Sequence, residues 1–381
     1  MILEIFNKER ERIGMIKQYV SARYANKYNG IGTFTIKVPV VDDSVRYLII
    51  DNYVLLDIDV MGVITYRSKL TTATTEITVS GYIVSHILTY RTFLKTQVFN
   101  GTIEDICGQM VTNNFITPED ERRKIDYIKV ESKVGSGESK RVQKTGGNVE
   151  EAIESLLAVE NKGFSFKPII AKFNEETESL TNISHFAFEV LEPIDRSFTN
   201  AQDNVPVVFS MELKNLEELS FTEDANEYKN VAVVAGAGEG EDRTLLEVGD
   251  LEASGIDRKE LYVDARDVSK TKYVDSTEVT IPDNEYREML QSRGNEYLQD
   301  YITFVDMDGK IIAEGNTINK YGKDYFLGDI VSVVDDELGL AINAQVTIVT
   351  KTVSSGTEKV DLTFGYEKES MRKVLKKRGV I

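Results

Sequence analysis

Tyr321 to Gly365 runs YGKDYFLGDIVSVVDDELGLAINAQVTIVTKTVSSGTEKVDLTFG, and its pattern is that of three consecutive β-strands. Ile330 to Val334 is a short apolar run entered through Leu327-Gly328-Asp329, and Gln345 to Val353 is rich in β-branched residues. Lys359 to Phe364 alternates Val360, Leu362 and Phe364 with Asp361 and Thr363. A period of two sends one set of side chains inward and the other to water. Ser354-Ser355-Gly356-Thr357 is a short glycine-containing connection that favours a hairpin. Three strands alone cannot bury their apolar face, so the meander needs more sheet to close on.

The chain supplies a second stretch of the same kind. Val63 to Gly81, VITYRSKLTTATTEITVSG, lies against Val346 to Gly365: each has a Thr-rich strand, a small-residue turn, a Glu, and an alternating strand that stops at Gly. A further strand precedes each, Tyr53 to Val60 and Ile330 to Val334. The expectation is an α+β, mainly antiparallel chain with two similar β-barrel domains. The first barrel comprises residues 1–95 with 206–245. The second comprises 246–366 and contains a helix over 283–301. Residues 96–205 form an inserted α+β domain, and 367–381 a basic C-terminal tail.

The insert is marked by helical spacing. Thr102 caps a helix with Asp105 in the capping-box position, ahead of Ile103, Ile106, Cys107, Met110 and Val111. Asn148 caps a second, with Val149, Ile153, Leu156 and Leu157 as its stripe and Gly163 beyond its end. Phe164, Phe166, Phe186, Phe188 and Val190 read as strands packing on these helices. Between them, Lys129 to Gly147 is polar, basic and rich in Gly and Ser, either a partner-contacting loop or a solvated one. Val84 to Arg91 reads as a short helix or an extended crossover, and Tyr286 to Tyr301 as an amphipathic helix. Met307-Asp308-Gly309-Lys310 is read as an Asp-Gly turn.

Composition narrows the function classes. With 41% hydrophobic and 28% charged residues among 381, the chain is folded and long enough for two to four domains. A net charge of −18 disfavours general nucleic-acid binding, which relies on Lys and Arg neutralising phosphates. A single cysteine, Cys107, allows neither an intrachain disulfide nor a thiolate metal cluster, and its flanks fit a buried small hydrophobe. No run approaches the length of a membrane span, and the N-terminus lacks a signal-peptide layout, so the expected site of synthesis is a cytoplasm.

Catalytic and cofactor signals are weak. Gly236-Ala237-Gly238-Glu239-Gly240 follows an apolar strand, but residue 241, where a third Gly of a dinucleotide loop belongs, is Glu. His86 and His185 lie in no zinc motif, and no G-x-S-x-G is present, although a triad needs only one His. Asp335-Asp336-Glu337 is either a cation site or a solvated acidic loop, without EF-hand spacing. No catalytic, cofactor-binding or metal-binding residue is assigned, and no cofactor is expected.

Several stretches together resemble one family. These are the C-terminal meander, Gly81-Tyr82 leading to Leu88 and Arg91, SFTEDANEYKNVAVVAGAGEG (Ser220 to Gly240), LYVDARD (Leu261 to Asp267) and YREMLQSRGNEYLQD (Tyr286 to Asp300). The chain resembles the baseplate hub family of bacteriophage tails. That family includes tail-associated (Tal-type) proteins of siphophages and hubs of contractile tails and phage-tail-like bacteriocins. The resemblance implies a structural, non-enzymatic virion protein of the tail tip, assembled in the host cytoplasm. It implies a homotrimer whose two barrels per chain present a pseudo-sixfold ring to the tail tube or distal tail protein ring. Through the ring DNA or tape-measure protein would pass, and a separate spike or fibre would close it. Neither specific nucleic-acid binding nor stable membrane insertion is expected. The tail is either contractile or flexible. Rival readings are a cell-wall-processing enzyme and a host-binding adhesin on a β-scaffold.

Overall fold

The computed structural model describes residues 2–365 apart from 42, 73–74, 132–136, 172, 175–178, 181, 275–276, 302–303, 312–318, 336, 338–339 and 355. The expected basic tail, 367–381, lies outside the described residues. Two compact units share the chain. The first holds Met1–Val84, Glu192–Asp224 and Phe304–Ile381; the second holds Ser85–Leu191 and Ala225–Thr303.

Unit 1 is one large sheet. Its strands are β1 (Leu3–Phe6), β2 (Arg12–Ile16), β3 (Ser21–Lys27), β4 (Thr33–Pro39), β5 (Tyr53–Asp57), β6 (Val60–Thr71), β7 (Thr75–Ile83), β8 (Val208–Ser210), β9 (Leu216–Asp224), β10 (Phe304–Ile311), β11 (Ile330–Asp335), β12 (Leu340–Ser354) and β13 (Thr357–Gly365). The sheet runs β9-β10-β13-β12-β3-β4-β7-β6-β5-β1-β2, with β11 on β12 and β8 on β11. All pairings are antiparallel except β8 with β11.

Alternation explains the strands. In β4 (TFTIKVP) Phe34, Ile36 and Val38 are buried, while Thr33, Thr35 and Lys37 face water. These three join Leu3, Ile5, Val54, Ile64 and Val79 in one core cluster. A second cluster gathers Phe209, Val331, Val333, Val346, Leu362 and Phe364, with the Phe209 ring 5.4 Å from Phe364 and 5.2 Å from Tyr325.

The two expected barrels are not formed: among the described residues the strands of 1–84, 206–224 and 304–365 lie in a single open sheet whose ends do not pair with each other, and the strands that the second barrel would have drawn from Leu245–Gly249 and Glu260–Asp264 belong to unit 2. The physical reason is the β12–β3 pairing, Ile348 to Ser354 against Lys27 to Ser21, which joins the C-terminal meander to the N-terminal hairpin. Nor does Val231–Ala235 return to a first barrel; it pairs with Leu245–Gly249 and Glu260–Asp264 in unit 2. Met307 to Lys310 is no turn either. It lies inside β10, held by β9 on one side and β13 on the other, so two ladders override the local Asp-Gly preference.

Unit 2 contains α1 (Ile103–Val111), α2 (Val149–Ala158) and α3 (Asp283–Leu298). Thr102 and Asp105 form the capping box of α1, and the Asn148 side chain accepts from the Glu150 amide at the start of α2. Gly163–Ile170, Ile183–Leu191 and Ile128–Val130 make a three-stranded sheet. α3 packs Tyr286, Met289 and Leu290 into a cluster with Val234, Val248 and Val263. Residues 84–90 form a 3₁₀ helix.

Candidate functional site

The site this fold offers is a pair of strand edges, and an internal repeat defines them. β3-β4-β7-β6-β5 and β9-β10-β13-β12-β11 have the same chain order and the same neighbours: an antiparallel pair, a hairpin in β3-β4 but interrupted by residues 225–303 in β9-β10, then a meander whose last strand returns to the pair. The correspondence extends to single residues. The Asp51 amide donates to the Ile64 carbonyl, and the Ile64 amide to Asn52; the Gly328 amide donates to Val346, and the Val346 amide to Asp329. Asp51 and Gly328 both have left-handed backbone, φ 67° and 96°. A β-bulge follows in each copy, between Ile64 and Tyr66 and between Val346 and Ile348. The structural register thus sets Ile64, not Val63, on Val346.

The halves meet at a seam with its own electrostatics. Lys351 of β12 stands opposite Tyr24 of β3. The Tyr24 hydroxyl donates to Asp57 Oδ2 at 2.7 Å, Lys351 Nζ lies 3.0 Å from the same oxygen, and the Ile58 amide donates to Oδ1 at 2.9 Å. Lys351 also reaches Glu358 at 3.0 Å. Burial alone would raise the Asp57 carboxyl, but the bonds from Tyr24, Ile58 and Lys351 outweigh it and hold it below the usual range. No local pattern in the sequence marks this cluster, since the partners of Asp57 lie 33 and 294 residues away.

Equivalent positions in the two halves differ sharply in exposure. Ile348 and Val349 of β12 are 9% and 0% exposed under the seam. Their counterparts on β6 are Tyr66, 55% exposed, and Arg67, also exposed; Leu70 is 63% exposed. β6 pairs with β5 only through residues 60–63, so beyond that its outer edge has no strand partner among the described residues. The outer edge of β9, the first strand of the sheet, is likewise without a strand partner there. A long edge strand carrying bare Tyr and Leu is a template for another strand.

The residues nominated from sequence do other work. Cys107 is buried in α1, where burial pushes its thiol up, away from reactivity. His86 packs edge-on against Tyr90 at 5.3 Å, and burial lowers its basicity. His185 sits in a strand beside Ser184, and burial and then Lys129 lower it as well. At Gly236 the loop is filled: the Tyr286 hydroxyl donates no space to a phosphate, accepting from the Ala237 amide at 2.7 Å, while Arg243 bonds the Ala235 and Gly236 carbonyls. Of Asp335-Asp336-Glu337, the Glu337 amide donates to Asp335 Oδ1 at 2.9 Å, and Asp336 lies outside the described residues. The described ends of the 129–147 stretch include strand Lys140–Lys144, whose Lys144 bonds Glu296 at 2.7 Å. Among the described residues no group of His, Cys, Asp and Glu is placed to hold a metal, and no helix is long and apolar enough to cross a membrane.

Comparison with known proteins agrees with this architecture. Prophage tail protein gp18 from Listeria monocytogenes EGD-e superposes with a TM-score of 0.55 at 15% identity, over 100% of this chain and 98% of that one. The 43 kDa tail protein of prophage MuSo2 from Shewanella oneidensis gives 0.54 at 10% identity, over 96% and 97%. The tail protein from Neisseria meningitidis MC58 gives 0.50 at 11%, over 96% of each. At these identities the likeness is one of fold. No curated protein matches the chain. The sequence profile of the Siphovirus ReqiPepy6 Gp37-like proteins matches residues 2–366, and with nearly its whole length matched, the chain belongs to that family.

Proposed function

We propose that the protein is a structural component of a phage or phage-like tail, acting as a hub at the tail tip. Three copies form a ring that joins the tail tube to a distal spike or fibre and lets DNA or tape-measure protein pass. The observation that carries this reading is the internal repeat: a chain with two equivalent half-sheets gives a trimer six equivalent surfaces to set against a sixfold tube end. The shared fold of three tail proteins supports the tail assignment. A net charge of −18 per chain supports a channel to which DNA does not adhere, since like charges repel.

Light scattering across a dilution series tests the reading. A species of three times the 42.9 kDa chain mass that persists on dilution is expected. A particle of one chain at every concentration would overturn it.

A further inference from the structure

The β12–β3 seam is one junction between a C-terminal and an N-terminal half-sheet, and the repeat specifies a second. We propose that β6 of one copy pairs antiparallel with β9 of a second copy, in the register that β12 and β3 use within the chain. This deepens the ring reading, on which it rests, and fixes which residues meet.

The register follows from the ladders. β6 aligns with β12 through the bulges, placing Tyr66 on Ile348 and Lys69 on Lys351. β3 aligns with β9 through their antiparallel partners: Tyr24 stands opposite Phe34, which stands opposite Gly81, as Phe221 stands opposite Met307 and Met307 opposite Phe364. Within the chain, Thr350 stands opposite Ala25, Lys351 opposite Tyr24 and Thr352 opposite Arg23. Transferred to the second junction, Ser68 stands opposite Thr222 of the neighbouring copy, Lys69 opposite Phe221 and Leu70 opposite Ser220.

Charge complements the geometry. Residues 66–71 of β6, YRSKLT, carry Arg67 and Lys69 and no acid, whereas β9, LEELSFTED, carries four acids and no base. Opposite charges on paired strands favour this register and disfavour β6 on β6 or β9 on β9. The edge that β6 leaves bare would also be covered, burying Tyr66 as its counterpart Ile348 already is.

Paired cysteines test the register. In a Ser68→Cys/Thr222→Cys full-length chain, mild oxidation is expected to give interchain disulfides and covalent species up to three chains. Each single variant, and the offset pair Ser68→Cys/Ser220→Cys, should stay uncrosslinked, because diagonal strand positions are too far apart. Leu70→Cys/Ser220→Cys repeats the test at an independent in-register pair. A three-chain particle in which neither in-register pair cross-links would overturn the register while leaving the ring. A chain that neither associates nor cross-links would overturn both.

Discussion

Replacing Tyr24 by Phe removes one hydroxyl from the seam and leaves the ring in place. That hydroxyl donates to Asp57 Oδ2 at 2.7 Å from a side chain that is buried. A hydrogen bond to a charged group contributes about 1.5–3 kcal/mol. Asp57 keeps Lys351 and the Ile58 amide, and its side chain is partly exposed, so water replaces some of the lost bond. The lower end applies, about 1.5 kcal/mol. In urea, the midpoint for unit 1 should fall by that energy divided by m, with m unchanged. The pH dependence carries the sign. Asp57 has a depressed carboxyl pKa in the folded state, so its contribution is full above the ordinary carboxylate value and is lost as pH falls through the lower folded one. The gap between wild type and Tyr24→Phe should therefore be constant near neutrality and close in acid. An Asp57→Asn background mimics the acid state, and Tyr24→Phe should cost markedly less there. Equal costs in both backgrounds, or a gap indifferent to pH, would refute the argument.

Other substitutions probe the packing. Phe209→Ala empties a fully buried site between Tyr325 and Phe364 and should cost about 3–5 kcal/mol, read as a lowered urea midpoint. Gly328→Ala places a Cβ at left-handed φ 96° and 2.2 Å from the Tyr28 ring, so it should destabilise by more than the roughly 1 kcal/mol of an unstrained Gly-to-Ala conformational effect, measured by the same titration. Thr102→Ala removes one side of the α1 capping box and should cost about 1 kcal/mol, seen as faster amide exchange in the first turn of α1. Lys69→Glu should weaken association of copies, most visibly at low salt, because it sets an acid against the four acids of β9, and light scattering reads the loss.

Local patterns in the sequence carry the elements but not their junctions. Phe34, Ile36 and Val38 alternate with polar residues, and the strand they predict is β4. Thr102 and Asn148 mark helix starts because capping uses residues two or three positions away. The β12–β3 ladder joins residues more than 300 apart, such as Thr352 and Arg23, and no local period encodes such a pairing. That junction turns two expected barrels into one open sheet. Asp308-Gly309 misleads for the same reason: a turn dipeptide gives way when both edges of its strand are paired. The candidate edge left a faint trace, since β6 has Arg67 and Thr71 where β12 has Val349 and Val353. The difference acquires meaning only once the bulges bring the two strands into register. The Tyr24–Asp57–Lys351 cluster left no trace, because three separate strands contribute to it.

Electron cryo-microscopy of the assembled particle should show a closed ring of three chains in which sheet density continues from β6 of one copy into β9 of the next, so that six half-sheets line one inner wall. A ring whose sheets end at each chain boundary, or a particle with no ring, would contradict the proposal.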